Sequence, residues 1–328
     1  MRYRKDSDLT RSQQSIFYFP DMIEQDDKVD SRPQYYAQLY TRMLIEDVSI
    51  SLIPVGSRAR EPFRVFVTPP KSKTEELIAA AITQRDYIRD LADATYDFFS
   101  KCSYTIMAYG EAIYEIVYLS KPGNGMVVGF ELTPIQPLTV ERRLGKLVQY
   151  VPKEVAHARK VSQYIRLSPE RILTFKLPTY IQKQFNHVMQ SLAFLSSNFL
   201  PDFTLSEVVS ASNKVAYDMR AHLRSQKLAL ADAGKIIGWN ARGLLQEEMV
   251  EYYFVYRQLL FERFKIELRT SILETLNEGL ERAGGVIGCS GRLVIEGLPS
   301  VDDVETAQAH LASGERSFKE ILEPFLRY

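Results

Sequence analysis

The chain has 328 residues, 45% apolar and 25% charged, and its 41 Lys and Arg balance 41 Asp and Glu. That balance argues against a free basic nucleic-acid binder, and 17 Phe and 19 Tyr argue against a largely disordered chain. The length suits about two domains and a core that needs no disulfide or metal.

Residues 1–34 are polar and mixed in charge and read as an arm ordered only through contacts. From Pro33, Tyr36, Leu39, Tyr40, Met43 and Leu44 recur at three- and four-residue steps, predicting a short amphipathic helix. Val48, Ile50 and Leu52 alternate with serines, and Phe63, Val65 and Val67 alternate with Arg64 and Phe66, predicting two strands around a Gly56–Pro62 turn. Ser72 with Glu75 has the form of a capping box, opening a helix through Leu77, Ile78, Ala81, Ile88, Leu91, Ala94 and Phe98. A β-rich block follows, with a strand from Ile106 to Leu119, a tight Pro122–Gly125 turn and a return over Val127–Leu132. It continues with a Val140–Tyr150 hairpin about Leu144-Gly145-Lys146 and two short strands, Tyr164–Leu167 and Ile172–Leu177.

Beyond Pro178 the pattern is nearly all helical. Asn186 to Phe199 is one helix, stopped by Pro201, and a Thr204/Glu207 box opens another toward Ala231. Gly234 to Gly243 reads as a loop holding the chain's one tryptophan, Trp239. Leu244 to Glu278 has neither Gly nor Pro, a helix of roughly 50 Å, and Gly284-Gly285 is read as its end. A strand over Arg292–Glu296 precedes two short helices with boxes at Ser300/Asp303 and Ser317/Glu320.

Cys102 and Cys289 are too few and too far apart for a disulfide framework and read as free thiols. The charged start lacks an apolar run behind it, so no signal peptide is expected. Glu111 and Glu115 interrupt the most apolar stretch, so no membrane span is expected either. No phosphate-binding loop occurs, and Gly284–Gly291 follows a helix and precedes a strand, the reverse of a nucleotide-binding unit. His157, His187, His222 and His310 lack a second ligand at zinc spacing, and His157 reads as solvated. Asp302, Asp303 and Glu305, and Glu247, Glu248 and Glu251, are the carboxylate clusters a metal-dependent nuclease would need. The first reads as a capped helical turn, the second as a solvated face. Neither cysteine has an obvious base partner. No catalytic residue, metal or cofactor is expected.

Several weak motifs fall in a telling order. Tyr109-Gly110-Glu111-Ala112-Ile113-Tyr114-Glu115-Ile116-Val117 is followed by Leu132-Thr133-Pro134-Ile135-Gln136-Pro137, then Gly145-Lys146-Leu147-Val148-Gln149-Tyr150, then Leu167-Ser168-Pro169-Glu170-Arg171-Ile172-Leu173-Thr174-Phe175. This run resembles the wing of tailed-bacteriophage portal proteins. Tyr36 to Val67, with its acidic Glu46-Asp47, is similar to the opening stretch of that family. Leu273–Asn277 and Arg292–Glu296, followed by Asp302-Asp303, Ala309, Leu311 and Gly314, are similar to the close of Mu-like portals. About two-thirds of the chain is touched.

The resemblance implies an α+β portal fold with a mixed α/β wing, long stem and wing helices, a short clip and a reduced crown. Its divisions would be an arm over 1–34, a wing over 35–178, stem helices over 179–231 with a clip turn near 198–204, a tunnel loop over 232–243, a long wing helix over 244–283, and a closing strand with crown helices over 284–328. It implies a ring, usually of twelve subunits, at one capsid vertex of a virion assembled in the host cytoplasm. Partners would be the major capsid protein, the terminase large subunit, neck or adaptor proteins, and double-stranded DNA passing through without sequence specificity. Arg220, Arg224 and Lys227 share one helical stripe at i, i+4 and i+7. With Lys235 and Arg242 they would be the DNA-channel residues, or else a solvated face or inter-subunit ion pairs. Gly234, Trp239 and Gly243 would belong to the tunnel loop, with Trp239 read as a packing anchor. Asn198, Phe199, Asp202 and Phe203 would form the clip. The alternatives are another virion adaptor or minor capsid protein, and a metal-dependent nucleic-acid enzyme.

Overall fold

A computed structural model of the chain describes residues 3–4, 9–16, 39–54, 63–83, 85, 87–123, 125–143, 145–199, 219–243 and 250–326. The arm contributes two short strands, β1 (Tyr3–Arg4) and β2 (Thr10–Arg11), and the first helix is α1 (Leu39–Ser49). The strand expected at Val48–Leu52 is instead the last turn of α1 and the bend beyond it. Leu44, Ile45 and Val48 are all fully buried, so helical spacing is what brings the apolar side chains inward. Ser49 Oγ and Ser51 Oγ donate to the carbonyls of Ile45 and Asp47, at 2.7 and 2.6 Å. The Gly56–Pro62 turn lies outside the described residues.

Strand β3 (Arg64–Thr68) forms close to its expected bounds. Where spacing predicts one helix from Ser72 to Phe98, the chain forms two, α2 (Ser72–Ile82) and α3 (Leu91–Tyr109), around β4 (Tyr87–Ile88), which pairs with β1. The Ser72/Glu75 box is not made, because Lys71 holds the N-cap position and gives no side-chain cap. Helix α3 has its own cap, Asp90 accepting from the Asp93 N–H at 2.8 Å. It continues over residues expected to be strand until Gly110, at φ 85°, ends it.

Strand β5 (Glu111–Ser120) is the centre of the largest sheet. Strand β6 (Val127–Ile135) runs antiparallel along one edge. Strand β10 (Ile172–Lys176) and β2 share the other, opposite residues 111–115 and 119–120. A second sheet has the order β7 (Val140–Arg143), β8 (Lys146–Tyr150), β9 (Tyr164–Leu167). Side chains alternate along β5. Ala112, Tyr114 and Ile116 meet the helical core, where the Phe98, Tyr114 and Phe175 rings lie 5.2–5.6 Å apart. Ile113 packs with Val140 and Leu167 of the second sheet. Glu115 lies on this second face and is fully buried. Its oxygens accept from the Gln14 N–H (2.7 Å), the Ser15 N–H (2.8 Å) and Ser15 Oγ (2.5 Å). Gln149 of β8, also fully buried, accepts from the Ile16 N–H at 2.9 Å and donates to its carbonyl at 2.8 Å. The arm over 9–16 therefore sits in a groove between two sheets. A short helix that periodicity did not reveal, α4 (Lys153–Arg159), places Val155 and Ala156 near Ile16, and His157 on it is exposed.

The helical half begins with α5 (Thr179–Phe199), which starts ahead of the expected Asn186 and packs on α6 (Met219–Ile237). The Thr204/Glu207 box lies outside the described residues. Helix α6 runs through Gly234 to Ile237, over residues expected to be loop, because Leu230, Ala233 and Ile237 stay buried at helical spacing. The long helix α7 (Glu251–Ile287) has 37 residues, about 55 Å; positions 244–249 lie outside the described residues. It passes through Gly284-Gly285 and ends at Gly288, φ 68°. Gly284 is needed for closeness instead of termination, since a Cβ there would lie 2.1 Å from the Cys289 carbonyl oxygen. Strand β11 (Arg292–Glu296) has its expected bounds and pairs antiparallel with β3. Helices α8 (Val301–Ser313) and α9 (Phe318–Leu326) close over Val255, Leu259 and Ile266 of α7. Both of their capping boxes form. The architecture is mixed helix and sheet, and among the described residues no helix is long and apolar enough to cross a membrane.

Candidate functional site

The connection leaving α6 is pressed onto α7. Gly238, at φ 77°, lies so close that a Cβ would meet the Arg257 carbonyl oxygen at 2.2 Å and the Phe261 nitrogen at 2.4 Å. Trp239 is 2% exposed, and its Nε1–H donates to Asp47 Oδ2 at 2.9 Å. Ala241 and Arg242 both have positive φ, 47° and 55°, a conformation costing roughly 1 kcal/mol or more per non-glycine residue. Arg242 Nε donates to Asp47 Oδ1 at 2.8 Å and Nη2 to Glu46 Oε2 at 3.2 Å.

Glu46 and Asp47 stand near the C-terminus of α1, where carboxylates oppose the helix dipole. The loop supplies what offsets that placement. The Arg42 hydrogen bond and then Arg242 hold the Glu46 carboxyl below its usual range, and the Asp47 hydrogen bond raises the Arg242 guanidinium. Beside the loop opens a cleft of about 620 Å³, walled by Ile50, Tyr96, Trp239, Asn240 and Phe261.

The residues of the stripe predicted on α6 lie within that helix. Positions 220, 224, 227 and 235 fall within about 100° of one another at 3.6 residues per turn. Arg224, Lys227 and Lys235 are exposed, as is Leu228, while Ala229, Leu230 and Ala233 are buried opposite. Arg220 is helical at this position. Arg224 and Lys235 make no ion pair among the described residues, and Asp232, the one acidic residue of α6, lies 3.6 Å from His187 of α5. Arg242 is engaged by α1 and so stands apart from this group. Gly234 is inside α6, where a Cβ would meet the Arg257 guanidinium at 2.7 Å, and Gly243 closes the turn after Arg242.

Asn198 and Phe199 are the last residues of α5; Asp202 and Phe203 lie outside the described residues. Of the carboxylate clusters, Asp303 closes its own helix cap, Glu305 lies 3.4 Å from Arg263 and Glu251 stands in the first turn of α7. Glu247 and Glu248 lie outside the described residues. Among the described residues no three His, Cys, Asp or Glu are grouped to hold a metal ion. Sequence reasoning missed Asp47 as the loop's anchor and Glu115 as the arm's. The available signals were an acidic pair at a helix end and one carboxylate within an apolar strand.

No family model and no curated protein matches the sequence. Two solved structures are similar at 14% identity, each alignment covering 92% of this chain and 96% of the other. One is described as the neck of an empty GTA particle computed with C6 symmetry, with a TM-score of 0.48. The other is the virion of a native gene transfer agent (GTA) particle, with a TM-score of 0.44. Likeness at that distance does not carry a function across.

Proposed function

We propose that the chain is a portal subunit, one of a ring, usually of twelve, set at a capsid vertex. The ring passes double-stranded DNA inward under a terminase motor and outward at infection, and docks neck or adaptor proteins. The observation that carries the reading is the order of elements. A mixed helix-and-sheet body is followed by the packed pair α5 and α6, a turn anchored by Trp239, and a 37-residue helix returning along the body to a closing strand. That order supports reading the segments as wing, stem, tunnel loop, wing helix and crown. The role is mechanical, with no chemical step assigned to any side chain.

The exposed face of α6, with Arg224, Lys227 and Lys235, is the band that would meet the duplex, and Arg220 shares its helical register. A few cations per subunit within a neutral chain suit sliding contact, since tight binding grows with each phosphate neutralised. Arg242, already neutralised by Asp47 and Glu46, adds least. The purified protein should have a mass of about 450 kDa, twelve times the 37.7 kDa chain, and end-on images should show a hole wide enough for a duplex. A monomer or dimer at every salt and concentration, with or without scaffold and capsid proteins, would overturn the reading. Charge reversal of Arg224 and Lys227 should impair packaging while rings still form, and unchanged packaging would discard the band.

A further inference from the structure

We propose that the groove between β5 and β8 accepts residues 10–16 from a second copy of this chain, so that arms are exchanged between neighbouring subunits. The proposal rests on the ring reading above. The groove recognises extended main chain, as strand-addition sites do. The Ser12 N–H donates to the Tyr118 carbonyl at 3.0 Å, and Arg171 Nη1 donates to the Ser12 carbonyl at 2.9 Å. The Gln14 and Ser15 N–H groups reach Glu115, and Gln149 holds both main-chain groups of Ile16. Side chains add selectivity: Gln14 bonds both the N–H and the Oγ of Ser168, and Arg11 pairs with Glu131 at 3.0 Å.

Two properties make this segment a separable ligand. Its share of a hydrophobic cluster, among the described residues, is Ile16 alone. It is therefore held mainly by hydrogen bonds, each worth about 0.5–1.5 kcal/mol net, and leaves without opening the core. With the arm in place Glu115 and Gln149 are fully buried; the arm's departure strips Glu115 of the Gln14 and Ser15 donors and Gln149 of both Ile16 bonds, leaving Gln149 its bond to Thr139. The occupant whose fit is displayed is this chain's own sequence.

Reach supports exchange. Residues 17–38, 22 in number, join the segment to α1 and span at most about 75 Å, more than the roughly 55 Å length of α7. A neighbour's groove closer to α1 than that limit is within reach. Exchange keeps every contact and adds a link between subunits, the economy of domain swapping.

Thr10 and Ser120 are register partners of the antiparallel β2–β5 pair, with Cα atoms about 4.5–5.5 Å apart, inside the disulfide range. A Thr10→Cys chain and a Ser120→Cys chain are mixed before assembly, and the oxidised assembly is run on a non-reducing denaturing gel. Exchange yields a two-chain band near about 75 kDa, twice the 37.7 kDa chain, absent from either variant alone. Arg11→Cys with Leu119→Cys, the next rung, is the second pair. Rings that give no such band, while a chain carrying both substitutions oxidises internally, overturn the exchange and leave the ring reading standing. A dimer that gives the band overturns the ring and keeps the exchange, and a monomer at every concentration overturns both.

Discussion

Replacing Asp47 tests whether the loop after α6 is held where the structure places it. The carboxylate accepts from the Trp239 indole at 2.9 Å and from Arg242 at 2.8 Å. Asp47→Ala strands the indole N–H, which is buried with its ring, at a cost of about 1–3 kcal/mol. The Arg242 contribution is smaller, about 0–1 kcal/mol, because its side chain is half exposed and Glu46 still reaches it. Together these give about 2.5 kcal/mol, or about 4 °C in melting temperature for 328 residues. Asp47→Asn keeps an acceptor for the indole and should lose only about 1 kcal/mol. Trp239 is the chain's one tryptophan, so its fluorescence reads the loop directly. Asp47→Ala should shift emission to the red before global unfolding, and Asp47→Asn should not. An Asp47→Ala protein with unchanged emission and a melting point within about 1 °C of the parent would refute the anchor.

Gly238→Ala forces a Cβ into the α7 backbone at positive φ and should cost more than about 3 kcal/mol. Gly285→Ala, in the same long helix with nothing within 4 Å, should instead stabilise by about 0.5–1 kcal/mol; thermal melts of the two variants check both signs. The Glu46 carboxyl lies below its ordinary value of 4.5. Its stabilising pairing with Arg42 and Arg242 is therefore complete above that value and is lost as pH falls through the lowered one. Trp239 emission should change in that acid window, and Glu46→Gln should remove the step. Glu115→Gln sets an amide against three donors and should weaken arm docking by about 2 kcal/mol, seen as roughly thirtyfold faster hydrogen exchange at the Gln14 and Ser15 amides.

Some features decided within a few residues were legible in the sequence, although the Ser72/Glu75 box, equally local, does not form. The boxes at Ser300 and Ser317 need only a side-chain oxygen and an N–H three residues on. The exposure of Arg224 and Lys227 on one side of α6 needs only helical spacing. Features decided at a distance were not. Val48, Ile50 and Leu52 satisfy a strand's alternation, and only burial of Leu44, Ile45 and Val48 selects the helix. Ile106, Met107 and Ala108 are all fully buried, so the end of α3 shows no amphipathic period to distinguish it from strand. The acidic pair at 46–47 was visible, but the indole that explains Asp47 lies 192 residues away.

Such polar contacts share a physical role. Trp239 on Asp47 and the arm on Glu115 join segments far apart in sequence, and Asn277, exchanging 2.9 and 2.7 Å bonds with the main chain of Leu293, joins two consecutive elements. Apolar burial decides which residues go inside but is non-directional and tolerates sliding. A buried polar bond has one good geometry and is costly when broken, so it sets register where packing alone would not. In this chain the three contacts fix the arm on the sheets, the loop on α1 and β11 on α7. For the proposed ring, whose output is a shape held under load, such contacts are the places where substitution should disturb assembly before it unfolds the subunit.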